Sequence, residues 1–228
     1  VGSSQGSGGV LGNMESHQAL EFTANWNGNL EITSTGTTGG APGRFVAVWT
    51  SGLIAQPPNA NIQAGVYDTS SFTSFCFPGQ GTTMVCPCGN PPGGPGVGCG
   101  NSAVSTGAII MASGSPQNDT VVLSIGSVPA TATCVFTQGT SANTSGLAFG
   151  DGVRCVTGSL KRLYVKTASG GGASAPQAGD PSIKTRSAAL GDPIAVGTSR
   201  YYYTYYRDPA SFGCAATYNI TNSVQVEW

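Results

Sequence analysis

The sequence predicts an all-β protein, a disulfide-stapled β-sandwich preceded by a smaller N-terminal β unit. Three observations lead there. The 228 residues include 35 glycines and 14 prolines, a composition that suits many short strands joined by turns. No stretch carries a sustained 3.6-residue apolar repeat, and the helix formers Glu, Lys and Leu are sparse. The third is Arg200-Tyr-Tyr-Tyr-Thr-Tyr-Tyr-Arg-Asp-Pro209. Aromatic rings favour extended backbone, where alternate side chains point to opposite faces. Tyr201, Tyr203 and Tyr205 then share one face, and Tyr202, Thr204 and Tyr206 the other. A strand aromatic on both faces is expected to be central, packed on one side and covered on the other by a loop or a neighbouring molecule. Pro209 has no N–H and ends the ladder.

Taken in order, residues 1–12 (Val-Gly-Ser-Ser-Gln-Gly-Ser-Gly-Gly-Val-Leu-Gly) read as a flexible tail. Val10 and Leu11 give it an apolar anchor, either on its own domain or, as an added strand, on a neighbouring copy. A chain that opens on Val1 rather than Met is expected to have lost a signal peptide. Residues 13–85 form the N-terminal β unit. Its candidate strands are Ala19–Asn25 and Leu30–Thr35, around the hairpin signal Asn27-Gly28, then Arg44–Thr50 and Ile62–Tyr67. Residues 86–101 are rich in Cys, Gly and Pro and read as an irregular stapled connector. Residues 102–228 are expected to form the sandwich. Its strands are Ala108–Ala112, Thr120–Ile125, Thr133–Gln138, Val153–Val156, Leu160–Thr167, Ser182–Thr185, Arg200–Arg207 and Thr217–Trp228. Val121, Leu123 and Ile125 alternate inward, as do Val224, Val226 and Trp228, with Gln225 and Glu227 facing out.

The C-terminal motifs together resemble a known domain. Cys86-Pro-Cys-Gly-Asn90, Gly98-Cys-Gly-Asn-Ser102, Gly150-Asp-Gly-Val-Arg-Cys155, Tyr206-Arg-Asp-Pro209, Cys214 and Asn219-Ile-Thr-Asn222 are similar to a domain recurring at the C-termini of secreted bacterial proteins. The resemblance covers roughly residues 76–228. It implies secretion and a β fold, and carries no activity with it.

Charged residues are 8% of the chain, against roughly 25% in ordinary domains. Little then keeps copies apart. Residues 1–150 hold one basic and five acidic residues, a net of −4; residues 151–228 hold eight basic and five acidic, a net of +3. Opposite-signed halves suit head-to-tail association, although so few charges also fall unevenly by chance. No basic stripe exists to bind nucleic acid, and no apolar run reaches the ~20 residues of a membrane helix.

The seven cysteines point to an oxidised, extracellular framework. A plausible map is Cys76–Cys86, Cys88–Cys99 and Cys155–Cys214, although sequence alone does not fix connectivity. Cys134 lies outside the shared motifs and is the candidate unpaired thiol. A metal held by Cys86, Cys88 and Cys99 is the alternative to the staples, but lacks the second ligand pair that zinc knuckles show; no metal or cofactor is expected.

Asp151, Arg154, Arg207 and Asp208 admit two readings. Two carboxylates suit a glycosidase. The structural reading is that Asp151 caps N–H groups in its Gly-Asp-Gly turn, while the arginines stack on rings or pair with Asp. There is one histidine, His17, and no Gly-x-Ser-x-Gly, so no nucleophilic triad is offered. The expected function is a secreted, non-catalytic structural protein that self-assembles into a filament or surface layer, with Val10, Leu11, Tyr202 and Tyr206 as contact residues. A sugar-binding module that stacks glycans on its exposed aromatics is the first competing class, and a glycosidase the second.

Overall fold

The computed structural model describes the backbone of residues 31–34, 44–51 and 61–68, and residues 72–209, 212 and 214–228. The chain divides into two compact units at Ser70/Ser71. In the first, β1 (Glu31–Ser34), β2 (Arg44–Ser51) and β3 (Asn61–Asp68) form an antiparallel sheet in that order. The expected strand at Ala19–Asn25 and the tail with Val10 and Leu11 lie outside the described residues.

The second unit begins earlier than the expected boundary at residue 86, because β4 (Phe72–Phe75) pairs with the C-terminal strand β14 (Ser223–Glu227). The Cys/Gly/Pro stretch is therefore part of this unit rather than a link between two. The larger sheet runs β10 (Lys161–Thr167), β7 (Thr133–Gly139), β12 (Ser199–Arg207), β14, β4, with β13 (Tyr218–Ile220) also on β12. A second sheet runs β11 (Ala173–Ala175), β6 (Val122–Gly126), β5 (Ile109–Ser113), and a hairpin joins β8 (Ser141–Phe149) to β9 (Gly152–Thr157).

The tyrosine strand is central, as its two aromatic faces predict. On one face Tyr202 and Tyr206 join Phe136, Val224 and Val226 in a core closed by Ile110, Leu123 and Ile125 of the second sheet. On the other, Tyr203 packs with Val156 and Ile220, and Phe149 stands edge-on to Tyr203 and Tyr205. The unit is thus three layers deep, and the covering layer is this chain's own hairpin. Full burial of Tyr202 and Tyr206 removes both from any surface, which corrects their assignment as self-assembly residues.

Ser182–Thr185 is not a strand. It opens α1 (Ile183–Ala189), where Ser182 Oγ accepts the Thr185 N–H at 3.2 Å and Gly191 takes a positive φ just past the end. Ile183 and Ser187, four residues apart, bury one face. Thr217–Trp228 is broken at Thr221-Asn222 into β13 and β14, with Val224, Val226 and Trp228 buried as their alternation requires.

Candidate functional site: sheet edges and a buried acidic junction

Three disulfides pin the irregular stretch to the sheets: Cys76–Cys155, Cys86–Cys99 and Cys88–Cys214. All three expected pairings are corrected. Cys76 follows β4 and meets Cys155 on β9, which crosses the far face of the large sheet. Neighbours in space here are set by strand pairing, not by sequence order. The six expected cysteines are the ones bonded. Cys134 is free and fully buried on β7, its thiol pushed up to about 11 by burial.

Asp151 sits in the Gly150–Gly152 turn between β8 and β9, where Gly150 has a φ of 60° and a Cβ would strike Tyr218. The Asp151 N–H bonds the Tyr218 carbonyl at 3.0 Å. Its carboxylate caps nothing: both oxygens are buried without a hydrogen-bond partner. That corrects its role as a turn cap. Burial, and then the nearby charge of Asp208, raise the Asp151 carboxyl above the usual range. Asp208 follows the tyrosine strand and is also buried, with Oδ2 accepting the Ser102 N–H at 3.2 Å. Asn90 donates to the carbonyls of Gly100 (2.7 Å) and Asp151 (2.9 Å). Neither arginine forms an ion pair with these carboxylates among the described residues. Arg154 stacks 5.0 Å from the Phe149 centroid, and Arg207 donates to Thr217 Oγ1 at 2.6 Å. A cavity of about 250 Å³ beside β10 has Lys166, Asp180 and Arg186 in its wall, and neither Asp151 nor Asp208.

No protein-family model, curated protein or solved structure matches the chain. Its reading therefore rests on its own geometry.

The sheet edges differ sharply. Strand β10 carries Lys161, Arg162 and Lys166, charges that discourage a further strand. Strand β11 has three residues. At the edge of β5, Asn222 Oδ1 accepts the Ile110 N–H at 2.7 Å and its Nδ2 donates to the Ile110 carbonyl at 3.4 Å, closing the strand as a neighbour would. Strand β4, Phe-Thr-Ser-Phe, carries no charge and no proline, and has no outer partner among the described residues. Sequence reading missed this strand, whose signal is two phenylalanines enclosing two small polar residues. Its neighbour β5 exposes Met111. Among the described residues no helix is long and apolar enough to cross a membrane, and three disulfides fit an oxidising compartment.

Proposed function

We propose that this chain is a secreted, non-catalytic structural protein that assembles with copies of itself by strand addition at β4. The observation that carries the reading is the contrast between the two ends of the large sheet: β10 carries three basic residues, whereas β4 carries no charge and has no outer partner among the described residues. Main-chain hydrogen bonds supply affinity in such an addition, and alternate side chains supply register. A charge content of 8% supports it, because few like charges oppose close approach. Residues 1–12 are the proposed donor, with Val10 and Leu11 as the apolar side chains that fix register.

Thr73 and Ser74 are exposed on β4, so Thr73→Lys with Ser74→Lys adds edge charge without disturbing the core. Light scattering and negative-stain microscopy are expected to show concentration-dependent assembly of the wild type, and particles of single-chain mass for the double variant at unchanged Tm. Deletion of residues 1–12 should have the same effect. A wild type that stays a single particle at high concentration, or a double variant that assembles as the wild type does, refutes the proposal.

A further inference from the structure

Around the Gly150–Gly152 turn most of the buried polar atoms left without partners are acceptors. Asp151 Oδ1 and Oδ2, Asp208 Oδ1 and Asn90 Oδ1 are all acceptors. Asp151 and Asp208 are 0% exposed and Asn90 5%. Buried acceptors in native proteins are nearly always paired, and a donor-free group of them is an environment that a cation completes. The local hydrogen bonds hold these oxygens rather than neutralise them. Asn90 Nδ2 is spent on the Gly100 and Asp151 carbonyls, which anchors the amide beside the turn and leaves Oδ1 free. Ser102 N–H holds Asp208 by Oδ2 and leaves Oδ1 free. Arg154, three residues along, has an unpartnered Nε and stacks on Phe149, so it does not compensate Asp151. Beside its burial, Asp151 feels the like charge of Asp208.

We propose that Asp151, Asp208 and Asn90 bind a hard divalent cation of the calcium class. Their free oxygens give up to four ligands, and such an ion takes six to eight in flexible geometry, the remainder from main-chain carbonyls and water. The Sγ atoms of Cys88 and Cys214 also lie within 4.8 Å of an Asp151 carboxylate oxygen and of each other. In the oxidised protein both sulfurs are consumed in the Cys88–Cys214 bond, which leaves oxygen as the donor type and disfavours thiolate-seeking metals. The ion would bridge the connector (Asn90), the hairpin turn (Asp151) and the residue that follows the tyrosine strand (Asp208), beside the Cys88–Cys214 disulfide.

The test uses the oxidised full chain, stripped with EDTA and titrated with Ca²⁺ while thermal unfolding is followed. Tb³⁺ emission excited through tyrosine gives an independent stoichiometry, since Tyr206 lies within electrostatic range of both carboxylates. Saturable binding of one ion per chain is expected, with Tm raised roughly 5–10 °C at a hundredfold excess over Kd. Asp208→Asn and Asp151→Asn should each weaken binding at least tenfold, while Asp180→Asn, which removes the charge that pairs with Lys166 at 2.6 Å and accepts the Gln177 N–H, leaves it unchanged. Should Asp151→Asn not fold, the wild-type titration and Asp208→Asn decide the matter. Absence of both a Ca²⁺-dependent Tm rise and saturable Tb³⁺ emission overturns the inference. So does binding that appears only after reduction and prefers Zn²⁺ or Cd²⁺, since that assigns the site to the Cys88 and Cys214 thiolates.

Discussion

Tyr202→Phe isolates one hydroxyl in the core. The Tyr202 OH donates to Gln138 Oε1 at 3.0 Å and accepts from Trp228 Nε1 at 3.1 Å. Gln138 in turn donates to Ser187 Oγ and Asp192 Oδ2, each at 2.7 Å, and Asp192 pairs with Arg200 at 2.8 Å. The chain of bonds thus joins the C-terminal residue, two central strands and α1. Phenylalanine keeps the ring and opens no cavity larger than one oxygen. It leaves one buried donor and one buried acceptor unpaired, each at about 1–3 kcal/mol. The expected loss is about 2–4 kcal/mol, or roughly 5–15 °C in Tm for a unit of this size. Urea unfolding followed by tryptophan fluorescence measures it, and m should not change, because the surface exposed on unfolding is the same. Assembly per folded molecule should also be unaffected, since this side chain faces the interior. A loss below about 0.5 kcal/mol would show that the hydroxyl network is not sustained in solution and would refute the argument.

Three further outcomes are expected. Removing each disulfide as a Cys→Ala pair should cost in the order of the loop closed: about 3 kcal/mol for Cys86–Cys99 (separation 13), about 4.5 for Cys76–Cys155 (79) and about 5 for Cys88–Cys214 (126), and a chemical-denaturation series that inverted this order would contradict a chain-entropy origin. Cys134, with its thiol pushed up to about 11 and fully buried, should resist aromatic disulfide reagents in the native protein from pH 7 to about pH 10 and react once urea unfolds it; fast native labelling would contradict its burial. Gly107→Ala should destabilise by about 2 kcal/mol or more, because φ is 92° and the new Cβ would strike the Gly98 carbonyl, whereas Gly94→Ala meets open space and should be within about 0.5 kcal/mol of wild type.

What the sequence made legible follows from where one face is buried. Val121, Leu123 and Ile125, and Val224, Val226 and Trp228, alternate because one side of their strands is core and the other is not. The tyrosine strand was readable for the opposite reason, rings on both faces marking a strand covered twice. Strand β8 escaped notice because it is half-buried at most along its length and so needs no apolar alternation. Helix α1 is seven residues long, too short for a repeat, and its signal is the capping Ser182 with Gly191 beyond the end. The disulfide map was illegible because strand pairing decides which cysteines meet. The acidic junction was half legible: Asp151 and Asp208 stood out, but a Gly-Asp-Gly turn suggests a local cap, and only the fold brings the second carboxylate and Asn90 to it.

Low charge and an irregular connector pose one problem together, and asparagine resolves most of it. A stretch such as 86–107 cannot form a ladder, so its main-chain groups need partners from elsewhere. A neutral amide offers donors and an acceptor from one side chain. Asn101 accepts the N–H groups of Ala103 and Val104 while donating to the Ser127 carbonyl and the Tyr206 hydroxyl. Asn219 donates to the Gly100 carbonyl, and Asn222 closes the edge of β5 at Ile110. These bonds specify the fold without introducing ionised groups, which is how so few charges suffice. The consequence falls on the surface. Amides turned inward give no repulsion between copies, and the Asn222 amide closes the edge of β5 rather than that of β4. Among the described residues the largest sheet ends at Phe72–Phe75 without an outer partner, which is the edge the proposed assembly would use.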